Sequence, residues 1–348
     1  MKNYLKRKPK SAVANDEAPS RITNETVAEH REQVLAGGRK FKYPKQYQKH
    51  KLVINSLLIG LAAIILLGIF GWHQLYIAEN SSKLMYRVTQ LVPVSVASVD
   101  GTSVRYSDYL MRYRSSIYYL QKQNTLNLKS EDGKRQAAFI QRQELDKAEM
   151  MAYVKKLARD NKVTVDNNEV NTFIQRDVDA RSVSLNAYEK TVLKSLYDWS
   201  LDEYRSVVRS ELLKRKVSFA VDTAARDKAT QLLAQVQGGA DIAAIAAEHS
   251  TDLTTKANRG DSGLVSVRGQ DAQGLIAAAQ GLEPGQLSGL ISGTDGYYFI
   301  KLTSKDANNV RYSVVKVDLN AFDQQFAQLK KDNKIKEYIS VDQETAQK

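Results

Sequence analysis

Residues 216–252 read KVSFAVDTAARDKATQLLAQVQGGADIAAIAAEHSTD, and the apolar pattern along them changes period twice. The first six residues alternate as in a β-strand. A helical repeat of alanine, leucine and valine then runs from Ala225 to Val236 and stops at the glycine pair 238–239, which is typical of a helix end. A second, shorter helix is predicted to follow Asp241.

The same stretch continues to a closing strand. The polar loop STDLTTKANRGDSG (250–263) leads into an apolar, turn-rich segment, then a turn at Glu283-Pro284-Gly285 and the strand YYFIKL (297–302). The order strand, helix, helix, loop, helix, strand predicts a compact α+β domain with a small antiparallel sheet over residues 217–304.

The amino-terminal part joins a basic segment to an uncharged one. Residues 1–51 carry thirteen Lys and Arg against five Asp and Glu and show no sustained apolar period, so we expect a disordered tail. Residues 52–72, LVINSLLIGLAAIILLGIFGW, are uncharged, and a bilayer core of ~30 Å needs roughly 20 apolar residues. We therefore predict a transmembrane helix over 52–77, with the basic tail in the cytoplasm and the rest outside.

Residues 90–216 predict a mostly helical lobe. Asp100-Gly101 between two β-rich runs predicts a hairpin. Helix starts are predicted from two cap pairs, Asp166 with Glu169 and Ser200 with Glu203. Amphipathic helices packed on such a hairpin leave apolar grooves between them. Residues 305–348 add the strand-like VRYSVVKV (310–317) and a further amphipathic helix.

Composition excludes several classes of function. The chain has no cysteine, and its four histidines lie far apart, so a disulfide scaffold, a thiol nucleophile and a metal site are not expected. No phosphate-binding glycine loop is present, and GDSG (260–263) has no plausible base for a serine protease. The net charge of +12 lies mostly in the tail, where anionic lipid explains it more simply than nucleic acid. We expect no cofactor, no metal and no nucleic acid.

The chain resembles two modules of known foldases. Residues 217–304 resemble a parvulin (PpiC-type) peptidyl-prolyl isomerase domain through residues 224–252, NRGDSGLVSVRGQ (258–270), GLEPGQLSGLI (281–291) and DGYYFIKL (295–302). The preceding segment is similar to the amino-terminal chaperone module of SurA- and PrsA-type foldases through VDGTSVRYSDY (99–109), the helices from Gln136 to Lys162, and WSLDEYRSVVRSELLKRKV (199–217). The resemblance implies an α+β protein with a single transmembrane helix, a mostly helical SurA-like chaperone lobe (90–216) and an inserted parvulin-like domain. It also implies that 305–348 folds back on the lobe.

The resemblance also places an isomerase site on particular residues. The positions implied to be catalytic are Asp252, Tyr298 and Ser218, and those implied to bind substrate are Leu253, Leu275, Gln270 and Phe299. Tyr298 and, approximately, Ser218 stand where the family has histidines, and their hydroxyls could bond to Asp252. Each position also has a structural alternative: Asp252 as a turn or cap residue, Tyr298 as an ordinary strand aromatic, and Leu275 as core.

Three functions remain open at this point. The first is a membrane-tethered isomerase acting on X–Pro bonds, and the second is a chaperone that binds unfolded chains with a non-catalytic parvulin-like domain. The third is a structural scaffold of an envelope complex. For the first two, the expected partners are unfolded or proline-containing polypeptides, with membrane lipid contacted through residues 52–77. The expected location is the cell membrane, with a single pass and a cytoplasmic amino terminus.

Overall fold

The computed structural model describes residues 23–42 and 44–341, which form two compact units divided between His73 and Gln74. In the first unit, helix α1 covers Asn24–Lys42, and helix α2 begins at Pro44 and runs to Tyr76. Within the described residues, one segment, Lys51–Tyr76, is long and apolar enough to cross a membrane, and its large apolar side chains from Leu52 to Trp72 are exposed.

The expected disorder of residues 1–51 is wrong for the described part of that segment. Thr23 and Thr26 bond to each other at the start of α1, where the Thr26 hydroxyl donates to the Thr23 carbonyl at 2.8 Å. The residues that follow are rich in Glu, Gln, Ala, Lys and Arg, which favour helix even without tertiary packing. Residues 1–22 lie outside the described residues.

The second unit begins with a helical lobe that contains a small hairpin. Its elements are α3 (Lys83–Leu91), β1 (Ser95–Val99), β2 (Thr102–Arg105), α4 (Tyr106–Lys122), α5 (Glu131–Asp160), α6 (Asn167–Ala180), α7 (Leu185–Tyr188), a π-helix (Glu189–Lys194), α8 (Ser195–Tyr197) and α9 (Leu201–Val221). The predicted hairpin is confirmed: β1 and β2 pair antiparallel, and Asp100 (φ +46°) and Gly101 (φ +76°) make the turn. Both predicted cap pairs form reciprocal capping boxes, at the starts of α6 and α9.

The strand predicted for KVSFAV is wrong, because these residues form the last turns of α9. Val217 is fully buried in the core of the helical lobe. Phe219, two residues later, packs edge-on against Tyr297 of the following domain, with ring centroids 5.0 Å apart. A helix that ends between two cores needs apolar residues on both sides of its last turn. The resulting run looks like strand alternation in the sequence.

The following domain is an α+β layer. Its elements are α10 (Thr223–Gln237), α11 (Ile242–His249), α12 (Leu253–Lys256), β3 (Val265–Ser266), α13 (Leu275–Gln280), β4 (Ile291–Ser292), β5 (Gly296–Lys305) and β6 (Asn309–Asp318). The strands form one antiparallel sheet in the order β3-β6-β5-β4. Strand β6 therefore belongs to this sheet, although residues 310–317 were expected in the segment that folds back on the lobe.

The chain then returns to the helical lobe. Helix α14 (Ala321–Lys331) buries Phe322 and Phe326 in the lobe core, and β7 (Ile335–Glu337) pairs with β1. Arg142 of α5 donates to both carboxylate oxygens of Glu337, at 2.8 and 2.9 Å. Glu149 lies 3.6 Å from Arg142 and is 1 % exposed. Burial raises the pKa of Glu149 to about 8.

Asp222 joins the two connections of the inserted domain. Its carboxylate accepts the Ala225 N–H at 2.9 Å at the start of α10, and the N–H groups of Asn320 and Ala321 at 2.6 and 2.9 Å before α14. The residue is 4 % exposed. Burial opposes ionisation, but the three backbone hydrogen bonds outweigh it and lower the pKa of Asp222. One buried charge thus holds together the residues where the chain leaves the lobe and returns to it.

We predict that Asp222→Asn lowers the free energy of unfolding by about 1.5–3 kcal/mol, the usual contribution of hydrogen bonds to a charged group. Because the folded-state pKa is depressed, the wild-type contribution is present above the unfolded-state pKa and disappears as the pH falls through the folded-state value. The variant should therefore lose less stability than wild type between pH 5 and strongly acidic solution. Denaturant titrations of the full chain in detergent, at several pH values, measure this.

The control is Asp227→Asn, at an exposed residue of α10 whose side chain makes no hydrogen bond to another described residue. An equal loss of stability in both variants would contradict the role given to Asp222.

Candidate functional site

The candidate isomerase site lies on the face of the sheet that packs against α13. Side chains alternate along β5, so Tyr298 and Ile300 face α13, whereas Tyr297 and Phe299 face α10 and α11. The sequence-predicted residue Phe299 is fully buried on this opposite face. The structure therefore does not bring Phe299 together with Tyr298, because neighbouring residues along a strand face opposite sides of the sheet.

Tyr298 is part of an ionic network at the end of the sheet. Its hydroxyl donates to Asp295 at 2.7 Å. Lys316 of β6 lies 2.8 Å from both Asp295 and Asp318, and its ammonium group stands 5.7 Å from the centre of the Tyr298 ring. This network was missed in the sequence because it joins β5 to a strand that had been assigned elsewhere.

The pKa shifts keep this network in one charge state near neutral pH. Burial and the Asp295 carboxylate raise the pKa of Tyr298, so the hydroxyl stays protonated and donates. For Asp295, burial is outweighed by the hydrogen bonds from Lys316 and Tyr298, and its pKa falls. For Lys316, burial is likewise outweighed by its bonds to Asp295 and Asp318, and its pKa rises. The Tyr298 hydroxyl is thus committed to a partner of its own chain.

Asp252 is the N-cap residue of helix α12 in this structure. Its carboxylate accepts the Thr254 N–H at 3.1 Å and the Thr255 hydroxyl at 2.7 Å at the start of α12. Neither Tyr298 nor Ser218 donates to it, so the described residues do not form the hydroxyl network considered from the sequence. The Asp252 carboxylate still affects the pKa of a residue on the α13 face of the sheet. Burial, followed by the carboxylates of Asp271 and Asp252, raises the pKa of Tyr312 on β6.

Ser218 is the sequence-predicted residue that the structure removes from the site. It was expected on the first strand of the sheet, but it lies in the last turn of α9. The central position of the sheet, between β3 and β5, is filled by β6 instead. Tyr312 of β6 is the polar residue that the sheet brings to the α13 face, and it had not been singled out in the sequence.

The remaining positions that were expected to bind substrate differ in their exposure. Leu275 begins α13, is half-buried, and donates its N–H to Asp271 at 2.7 Å. Gln270 is exposed in the preceding loop, and Leu253 is 86 % exposed. The interior of the face is occupied by the chain's own buried side chains, including Tyr298 and Tyr312.

A second candidate site is a cleft of about 820 Å³ in the helical lobe, between α3, α4, α8 and α9, which we call the lobe cleft. Two aromatic rings of the lining stack, Tyr197 on Trp199, at 5.1 Å between centroids, and Tyr119, which does not line the cleft, stacks on Tyr197 at 5.2 Å. Met111 and Tyr86 also line it. The buried indole N–H of Trp199 has no acceptor among the described residues, and such an unmade bond usually costs about 1–3 kcal/mol.

Gly293 sets the position of the Tyr298 ring. A Cβ atom at this glycine would lie 2.5 Å from the ring and 2.5 Å from the Gln273 side-chain oxygen. We predict that Gly293→Ala lowers the free energy of unfolding by about 1–3 kcal/mol, because overpacking displaces the ring. Thermal unfolding measures the loss.

Gly289→Ala is the matched control, since a Cβ there meets nothing within 4 Å. Combining Gly293→Ala with Tyr298→Ala should remove most of the penalty. A full penalty without the Tyr298 ring would contradict the packing described.

The comparisons with known proteins agree with this division of the chain. The family model of the PPIC-type PPIASE domain (Rotamase) matches residues 212–304, and that of the SurA-like N-terminal domain matches residues 45–218, half of the chain. No curated protein matches.

Two solved structures are similar to parts of this chain. The peptidylprolyl isomerase PrsA from Bacillus anthracis is 18% identical, covering 51% of this chain and 82% of that one, with a TM-score of 0.18. The foldase protein PrsA from Streptococcus pneumoniae is 17% identical, covering 58% and 80%, with a TM-score of 0.19. TM-scores this low do not establish a common arrangement of the domains. The two family matches do establish the family, and the chain belongs to the foldases that join a SurA-like N-terminal domain to a PPIC-type peptidyl-prolyl isomerase domain.

Proposed function

We propose that this chain is a membrane-anchored foldase that acts mainly as a chaperone, binding unfolded polypeptides in the lobe cleft on the outer side of the membrane. The observation that carries the proposal is the cleft itself. It offers the stacked rings of Tyr197 and Trp199 beside Tyr86 and Met111. An unfolded chain supplies what this surface lacks, namely apolar side chains that pack on the rings.

The charges that line the lobe cleft support a broad range of clients. Lys83 pairs with Asp198 at 3.1 Å, and the Tyr86 hydroxyl donates to Glu203 at 2.6 Å. These pairs neither demand nor repel one particular client charge. Arg87 and Arg105 also line the cleft and form no ion pair among the described residues, so recognition would depend on apolar contact with a contribution from these two cations.

The proposed orientation follows from the basic residues before the apolar helix. Residues 1–51 carry an excess of Lys and Arg, and Lys51–Tyr76 can span a bilayer. Basic flanks stay preferentially on the cytoplasmic side, so the second unit would face the opposite side. Clients would then be chains that have just crossed the membrane.

Prolyl isomerisation is the second candidate activity, and the α13 face of the inserted domain favours it. Twisting an X–Pro bond must overcome a barrier near ~20 kcal/mol, and it requires no nucleophile. An apolar wall at Leu275 would disfavour the polar planar amide, while nearby donors would favour the twisted one. The Tyr298 hydroxyl is already bonded to Asp295, and no family histidine is present, so we propose that this activity is weak.

One pair of assays separates these activities. The full chain in uncharged lipid nanodiscs should suppress light scattering by thermally unfolded citrate synthase. Tyr197→Ala should weaken that suppression several-fold, because it removes the ring between Tyr119 and Trp199. Tyr338→Ala, at an exposed aromatic outside the lobe cleft, should leave suppression unchanged. In the same preparation, isomerisation of a short X–Pro peptide should be slow and should fall further in Tyr298→Phe.

Suppression that does not depend on Tyr197 would contradict the assignment to the lobe cleft. Fast isomerisation without suppression would favour the enzyme over the chaperone. Absence of both activities would favour the scaffold.

A further inference from the structure

A smaller cavity of the helical lobe combines positive charge with an apolar floor. It measures about 460 Å³ and lies where α5 ends and α9 passes it; we call it the basic pocket. Its floor includes Ala158, Val163 and Leu213. The charged side chains that line it are all cations, namely Lys155, Arg159, Lys162 and Arg209. The cavity falls within the size range of ligand sites.

Three of these cations lack a carboxylate partner within the described residues. Lys155 is paired with Asp108 at 2.6 Å. The side chains of Arg159 and Lys162 form no ion pair, and Arg209 donates only to the neutral amide oxygen of Asn167, at 2.6 Å. Like charges gathered without a partner repel one another, and an anionic ligand would relieve that repulsion.

The backbone beside the basic pocket can bind a peptide. Residues 163–165 lie between α5 and α6, outside any helix or strand, and Thr164 and Val165 line the pocket. Among the described residues, no acceptor receives the N–H groups of Thr164 and Val165. Free backbone N–H groups can donate to the carbonyl groups of a bound peptide, as those of exposed strand edges do. A free phosphate would use the cations and the N–H groups but not the apolar floor.

We propose that the basic pocket binds short, extended polypeptide segments in which an apolar side chain is flanked by carboxylates. The apolar side chain would enter between Val163 and Leu213, and the carboxylates on either side would reach Arg159, Lys162 and Arg209. This inference deepens the proposed function, on which it rests for the source of the peptide, by giving the foldase a preference for acidic client segments.

The experiment uses the full chain in uncharged phosphatidylcholine nanodiscs and a fluorescent peptide of alternating Glu and Leu. Fluorescence anisotropy should show that this peptide binds about tenfold or more tightly than its Gln–Leu and Lys–Leu counterparts, because charge-assisted bonds add to the apolar contact. Added salt should reduce the preference. The triple variant Arg159→Gln, Lys162→Gln, Arg209→Gln should lose about tenfold in affinity for the Glu–Leu peptide.

The matched control removes three exposed cations elsewhere that have no ion pair among the described residues: Arg176→Gln, Lys190→Gln, Lys331→Gln. It changes the net charge equally and should keep the wild-type affinity. Circular dichroism verifies that both triple variants are folded. Equal losses in both triple variants, or no preference for Glu–Leu over Gln–Leu, would overturn the proposal. So would displacement of the peptide by a soluble short-chain phosphatidylglycerol that binds more tightly than the peptide.

Failure of the proposed function gives a different pattern. If the full chain does not protect citrate synthase but the Glu–Leu peptide still depends on the basic pocket, the chaperone proposal fails and the peptide site stands. If protection is normal and the peptide preference is absent, only the inference about acidic segments is wrong.

Discussion

The buried carboxylate of Asp222 is the constraint on which the arrangement of the second unit depends. It accepts N–H groups from the segment that enters the inserted domain and from the segment that leaves it. These segments lie about a hundred residues apart in the sequence but meet at Asp222, so the inserted domain does not separate the two parts of the lobe. The same join positions α14, whose Phe322 and Phe326 complete the core of the lobe. The core of the lobe therefore combines residues from both sides of the inserted domain.

Local signals in the sequence were sufficient for most helices and for the hairpin. Asp166 with Glu169, and Ser200 with Glu203, predict helix starts because the bonds they make lie within one turn. The Asp100-Gly101 turn is equally local. Where two distant segments compete for one role, local patterns fail. The run KVSFAV has the alternation of a strand, but α9 continues through it, and β6 takes the central place in the sheet because it pairs with β5 along ten residues.

The same limit explains the candidate site. Tyr298 and Leu275, two positions that the resemblance singles out, lie in the same cluster on the α13 side of the sheet. It could not give the partner of Tyr298, since Asp295 and Lys316 come together only when β6 lies beside β5. The structure places two of the implied residues, Ser218 and Phe299, away from this face. One lies in a helix, and the other faces the opposite side of the sheet.

The chemistry of the two lobes suits the proposed division of work between them. The α13 face of the inserted domain is filled by buried side chains, and its best-placed hydroxyl is already bonded. The helical lobe instead keeps the lobe cleft open, with the rings of Tyr197 and Trp199 along its wall. A foldase of this form would hold clients in the helical lobe, while the inserted domain contributes mainly to its structure and, weakly, to proline isomerisation.

The most direct measurement is photo-cross-linking in intact cells. A photoreactive amino acid replaces either Met111 in the lobe cleft or Leu275 at the start of α13. The client is a secreted protein that folds slowly, expressed with or without its export signal. We predict that the photoreactive group at Met111 cross-links the exported client strongly and that the one at Leu275 cross-links it less. Neither should capture the client retained in the cytoplasm. Cross-linking of the retained client, or capture at Leu275 alone, would contradict it.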